Sequence, residues 1–219
     1  MDLSGLNGKT FATETGDIFV HKLLGKGKSA YSYLAEYNDH NVVLKLMHNE
    51  ICDYYSFKGR NKVQLEVLAY EKLQEIGIRM PRLISYNESQ NYLLKEYIEG
   101  PVASQIVAGG KPADFIMKHL FEMYHLAKSE HINIDYFPTN FVISDDQLFY
   151  VDYEINPYLP EWDLVNWGLY YWANSRGFAR FIETGNAIHI NEFPSEGIPY
   201  KRNFEVQLED WIKQFTKMR

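Results

Sequence analysis

The chain has 219 residues, 46% of them apolar and 23% charged, which is the balance of a globular chain long enough for one large domain or two small lobes. Its 14 Gly and 8 Pro fall without period, which excludes collagen-like and repetitive folds, and its net charge of −7 argues against a coat on nucleic acid or on an anionic membrane. A single cysteine, Cys52, allows no internal disulfide and no cysteine-based metal cluster. Met1 to Lys9 lacks a basic region followed by an apolar run, and nothing approaches about 18 consecutive apolar residues, so a soluble, cytoplasmic protein is expected.

In chain order, Ile18 to Leu24, Ala30 to Tyr37 and Val42 to Met47 are rich in β-branched and aromatic residues and are separated by Gly, Asn and Asp, which predicts three strands. Asn61 to Ile76 changes to helical periodicity, with Leu65, Leu68, Ala69, Leu73 and Ile76 on the apolar positions. Pro81 ends that unit, and Arg82 to Tyr86 and Tyr92 to Tyr97 predict two further strands. Glu99-Gly100-Pro101 is a break. Beyond it, Pro112 to about Ser129 predicts a long helix with Ile116, Leu120, Met123 and Ala127 on one stripe. Two short strands, Asn140 to Ile143 and Leu148 to Val151, flank a turn at Ser144 to Gln147. Helices are expected from Glu161 to about Ile182 and from Asn203 to Met218, with a loop over Glu183 to Tyr200. The resulting organisation is a strand-rich first lobe over residues 1–98 and a helix-rich second lobe over 99–219.

Several residues in this frame can carry chemistry. Gly25 and Gly27, followed by Ser29, lie between two predicted strands, where glycines let a backbone turn approach a bulky anion; a plain hairpin turn uses the same residues. A P-loop is excluded because Lys22 stands where its first Gly must be, and a strand follows where a helix is required. Lys45 lies in the apolar run Val42 to Met47. Its ammonium must either reach water from an edge strand or find an acid partner. Glu66 is the acid beside the packed stripe of Ala69, Tyr70 and Leu73, whereas Glu71 aligns with Val67, Gln74 and Glu75. In the second half, Asp135 precedes Asn140 by five residues across a Pro-containing loop, and Asp152 closes a short strand twelve residues later. Oxygen ligands of this kind suit Mg²⁺, although Asp and Asn are equally at home in turns.

A Gly loop, a strand lysine, a helix glutamate, Asp-x4-Asn and then Asp is a series that resembles the protein-kinase-like superfamily, most of all its aminoglycoside/choline phosphotransferase branch, over about residues 18–175. The resemblance implies an α+β, bilobal kinase-like fold: a small antiparallel-sheet N-lobe with one helix, and a reduced, mainly helical C-lobe. It further implies that Gly25, Gly27 and Ser29 cover ATP phosphates, that Lys45 holds phosphates and pairs with Glu66, and that the backbones of Glu96 and Ile98 bond adenine. Asp135 would be the catalytic base, with Asn140 and Asp152 as Mg²⁺ ligands, and Asp163 would brace the catalytic loop as a structural residue. Departures stand beside these matches. Ala30 replaces the third loop glycine, Asn133 stands where His is usual (His131 lies four before the aspartate), Phe137 replaces a second His, and Tyr153-Glu154 follows the metal aspartate.

Asp152 and Asp163 are 11 residues apart, and no Ala-Pro-Glu occurs, so a peptide-docking activation segment is not expected. The expected function is therefore transfer of the γ-phosphate of Mg·ATP to a hydroxyl of a small molecule. The alternatives are a minimal serine/threonine protein kinase and a nucleotide-binding pseudokinase serving as an interaction module. A second lobe of about 120 residues could take a partner protein to complete its acceptor pocket. Asp145, Asp146, Glu154, Glu161 and Asp163 could favour a cationic acceptor, or be ordinary turn and helix-start acids. Tyr170, Tyr171 and Trp172 could wall it or pack the core.

Overall fold

A computed structural model describes residues 5–50 and 59–216, so Cys52 and the end of the last expected helix lie outside the described residues. The fold is α+β. Residues group into two compact units, one drawn from Met1–Glu71 with Pro81–Tyr97, the other from Lys72–Met80 with Ile98–Arg219. The expected division near residue 98 is thus joined by a second crossing. The stretch 72–80 belongs to the second unit because Leu73 and Ile78 are buried in that unit's core.

The first unit is built on six antiparallel strands: β1 (Thr10–Thr13), β2 (Gly16–Lys26), β3 (Ala30–Tyr37), β4 (His40–Met47), β5 (Leu83–Asn87) and β6 (Tyr92–Glu96). Their order is β1-β2-β3-β4-β6-β5. Alternation along the strands gives the sheet two unlike faces. One buries Ile18, Val20, Tyr33, Leu44 and Leu94; the other sets Ala30, Met47 and Leu93 against Val63 and Val67 of the helix α1 (Lys62–Glu75). The α1 stripe differs from the sequence expectation. Leu68 is 56% exposed, whereas Glu66 is buried. A search for apolar periodicity passes over a charged residue that is buried because it is paired.

In the second unit, α2 (Ala103–Gly109), α3 (Asp114–Ser129), α4 (Leu169–Ala173), α5 (Ser175–Thr184) and α6 (Glu205–Phe215) surround a core that takes in Ile116, Leu120, Phe141, Trp172, Phe178 and Trp211. The expected α3 stripe, Ile116, Leu120, Met123 and Ala127, is buried throughout. Short antiparallel pairs frame the loops: β7 (Ile132–Ile134) with β10 (Ile155–Pro157), β8 (Phe141–Ser144) with β9 (Gln147–Tyr150), and β11 (Asn191–Phe193) with β12 (Ile198–Pro199). The last pair occupies part of the stretch expected to be a loop. Asp145 and Asp146 turn the β8–β9 hairpin with φ of +48° and +55°, the double left-handed geometry that two-residue hairpins favour.

The helix expected over 161–182 is broken. Asp163 caps a wide turn over Leu164–Gly168, in which its carbonyl accepts from both Trp167 and Gly168. Asn174 then leaves helical geometry and its side chain accepts the Gly177 N–H, starting α5 afresh. Short polar side chains that bond nearby amides compete with helix continuation, and two of them do so here. Among the described residues no helix is long and apolar enough to cross a membrane.

Gly100 is required by both dihedral and space: its φ is +154°, and a Cβ would lie 1.9 Å from the Ile143 carbonyl oxygen. Gly185, at φ +69°, has open space around it. Gly185→Ala should therefore lose only the left-handed penalty, about 1–2 kcal/mol, while Gly100→Ala adds a backbone collision and should lose clearly more. Urea unfolding of both variants checks this; equal losses would contradict it.

Candidate functional site

In the first unit the sheet register places Gly25 opposite Ser32, Ser32 opposite Lys45 and Lys45 opposite Leu93, one row across four strands. Lys45 Nζ lies 2.7 Å from Glu66 Oε1, with side chains only 9% and 12% exposed. The ion pair ties β4 to α1, as the resemblance implies. Glu71, the rejected alternative, is exposed.

The turn after β2 is held from outside. The Gly27 amide donates to the Ala30 carbonyl at 2.9 Å and the His48 amide to the Ser29 carbonyl at 3.0 Å. His48 Nε2 lies 3.0 Å from the Gly27 carbonyl, and its Nδ1 accepts from the Glu50 amide at 3.2 Å, which makes Nε2 the protonated nitrogen. Glu50 also pairs with Lys26 and accepts from the Tyr31 hydroxyl at 2.6 Å. Neither Gly25 nor Gly27 has positive φ, and a Cβ on either would meet nothing closer than 3.9 Å. The chain itself does not require glycine at these two places. A group approaching the backbone from outside would.

Glu96 ends β6, and its amide donates to the Arg82 carbonyl at 2.9 Å. Any base contact from Glu96 must then use its carbonyl. Ile98 begins the second unit.

Asp135, Asn140 and Asp152 are brought together in the second unit. The 133–140 loop runs from β7 through a short turn, Pro138–Asn140, into β8. One Asp135 carboxylate oxygen accepts the Phe137 N–H at 3.0 Å. The Asn140 side-chain nitrogen points at the Asp135 carbonyl, 3.4 Å away, so Asn140 Oδ1 faces the other way. The Asn140 carbonyl accepts the Val151 N–H at 2.8 Å, placing the chain of Asp152 beside it. An amide oxygen turned outward beside the chain of Asp152 is a donor type that fits a hard cation such as Mg²⁺. Among the described residues no three His, Cys, Asp or Glu side chains gather to hold a metal by themselves. A cation at Asn140 and Asp152 would thus complete its shell with phosphate or water oxygens.

Beneath the loop lies a tyrosine network. Asp163, 1% exposed, accepts from the Tyr124 hydroxyl at 3.1 Å and the Tyr158 hydroxyl at 2.9 Å, and also takes the Asn166 amide at 2.8 Å. It braces α3 and the 158–168 segment, and reaches the loop through Tyr124, whose ring packs edge-on against Tyr136. Burial pushes the Tyr124 phenol up to about 12, and burial likewise raises Tyr136, Tyr150 and Tyr171, the last two also feeling the Asp135 charge. Asn133 gives its side-chain nitrogen to the Leu159 carbonyl at 2.8 Å.

Of the two readings of the aromatic cluster, core packing holds for two of its three members. Tyr171 and Trp172 are 1% and 0% exposed and belong to the core; Tyr170 is half-buried beneath the Lys201 ammonium. Of the five acids considered for a cationic acceptor, Asp145 and Asp146 sit at the β8–β9 tip, Asp163 accepts from tyrosines and Glu161 is exposed. Two features escaped the sequence: the His48–Glu50 latch, which no spacing announces, and Tyr150, whose signal was a hydroxyl-bearing aromatic in a short apolar strand two residues before Asp152.

Removing one member of the buried ion pair leaves the other charge uncompensated. Lys45→Met should lose about 3–5 kcal/mol, and Lys45→Met with Glu66→Leu should recover most of it; an additive double variant would contradict the pairing. The raised phenols favour the neutral, folded form. Their stabilisation is complete below the unfolded value of about 10 and is lost as pH climbs towards 12. Absorbance titration of the 17 tyrosines should show a late phase coincident with unfolding. A single phase near pH 10 would contradict it.

Comparison with models of protein families and with curated proteins found no match.

Proposed function

We propose that the chain is an ATP-dependent phosphotransferase that moves the γ-phosphoryl group of Mg·ATP to the hydroxyl of a small molecule. The observation that carries this reading is the Lys45–Glu66 pair, buried and aligned in one row with Gly25. A lysine held by a carboxylate inside a sheet has its ammonium fixed in place, and a fixed cation suits an anionic phosphate. Gly25 and Gly27 keep the backbone above that row open to an anion.

The second set of groups supplies the chemistry. Asp135, with one oxygen engaged by the Phe137 amide, accepts the proton of the attacking hydroxyl. The deprotonated acceptor oxygen bonds to the γ-phosphorus, the bond to the β–γ bridging oxygen breaks, and ADP leaves. Asn140 and Asp152 would hold a magnesium ion, which would supply charge neutralisation at the phosphate oxygens. Glu96 and Ile98 offer backbone groups to adenine. The acceptor is small because only about ten residues lie between Asp152 and Asp163, and these form β10 and the Pro160–Trp162 turn.

Stability should rise with Mg·ATP, by about 2.7 kcal/mol at a hundredfold excess over Kd. Asp152→Asn should weaken that stabilisation. Asp135→Asn should preserve it and lower turnover by roughly 10²–10⁴-fold. Thermal shift with coupled ADP release measures both. Equal loss of nucleotide stabilisation in the two variants, or no stabilisation of the unsubstituted chain, would overturn the reading.

A further inference from the structure

Tyr150 closes β9 with its side chain wholly buried, packed on Phe141 at 5.3 Å between ring centres. A buried phenol is costlier than phenylalanine unless its hydroxyl is satisfied as donor and acceptor. Here both are met. The Asp135 amide donates to the Tyr150 oxygen at 3.3 Å, and the Tyr150 hydroxyl donates to the Glu154 carbonyl at 3.0 Å.

The two partners lie on different segments. Asp135 belongs to the loop before β8, and Glu154 follows Asp152 by two residues. Chain 151–154 therefore folds around one hydroxyl, whose other contact is the backbone of Asp135. At the far side, the Val151 amide holds the Asn140 carbonyl. The main chains of Asp135, Asn140 and Asp152 are thus linked through Tyr150 and its strand.

Resting on the phosphotransferase reading, we propose that Tyr150 is a positioning residue for transfer: its hydroxyl clamps the backbone of the base to the segment carrying the metal-binding carboxylate and so sets their separation. Tyr150 touches neither nucleotide nor acceptor in this role. Its loss should therefore appear in the chemical step and not in binding.

Tyr150→Phe removes one oxygen and keeps the ring. With γ-labelled Mg·ATP and a pooled set of amino sugars, amino alcohols and sugars as the probe, kcat should fall by roughly 10–100-fold, the scale of a small misplacement. KM for Mg·ATP should stay within about twofold, since nucleotide contacts are unchanged. Hydrogen exchange gives a readout independent of activity. In the unsubstituted protein the Asp135 amide should exchange slowly, and in Tyr150→Phe at least about tenfold faster, while the Val142 and Ile143 amides keep their protection. An unprotected Asp135 amide in the unsubstituted protein, or wild-type kcat in Tyr150→Phe while Asp135→Asn is impaired, overturns the clamp and leaves the phosphotransferase reading standing. Absence of any Mg·ATP turnover by the unsubstituted chain overturns that reading and the clamp with it.

Discussion

A charge removed from water must be matched by another, and in the first unit that requirement falls on Lys45 and Glu66. The apolar run of β4 carries Lys45 inward on the face covered by α1, between Ser32 and Leu93. Only a helix presenting an acid at that point can lie there, and α1 does so with Glu66 between Val63 and Val67. The pair thereby fixes the axial position of α1 as well as its rotation. A buried ion pair gains little over an apolar pair of similar size, so its worth lies in the orientation it gives the ammonium. The functional proposal needs that orientation.

In the second unit the corresponding constraint is the β8–β9 hairpin. Its register, Phe141 opposite Tyr150, leaves Asn140 and Val151 as the next pair, and puts Asp152 one residue beyond. Asp135 is then drawn to the same end by two bonds, one from the Asn140 side chain and one to Tyr150. Below them, Asp163 gathers Tyr124, Tyr158 and Asn166, and Gly168 lets the next turn approach Tyr136, where a Cβ would come within 2.6 Å. Asp163 and the main chain of Asp135 are held by neutral hydroxyls and amides.

Much of this was legible in the sequence because period and punctuation act locally. The strands β3 and β4, the helix α3 and the β8–β9 turn follow from β-branched runs, a regular apolar stripe and paired aspartates. On α1 only Leu68 of the expected stripe is exposed, whereas Ala69, Leu73 and the paired Glu66 are buried. The long helix expected after Glu161 was not continuous, because Asp163 and Asn174 bond nearby amides and end it twice. The short helix α2 and the three-residue strands β7 and β10 give too few periods to be seen. In the candidate site, the order of the charged residues was readable, and their partners largely were not. Tyr150, His48 and Glu50 act through contacts that only the folded chain creates.

The central claim is that these groups transfer a phosphoryl group to a small hydroxyl compound. The most direct measurement incubates the chain with γ-labelled Mg·ATP and a small-molecule cell extract, with Asp135→Asn in parallel, and follows the label by size. The account predicts label in low-molecular-weight products that disappears in the Asp135→Asn reaction. Label on a distinct protein, or label that survives the substitution, would contradict it.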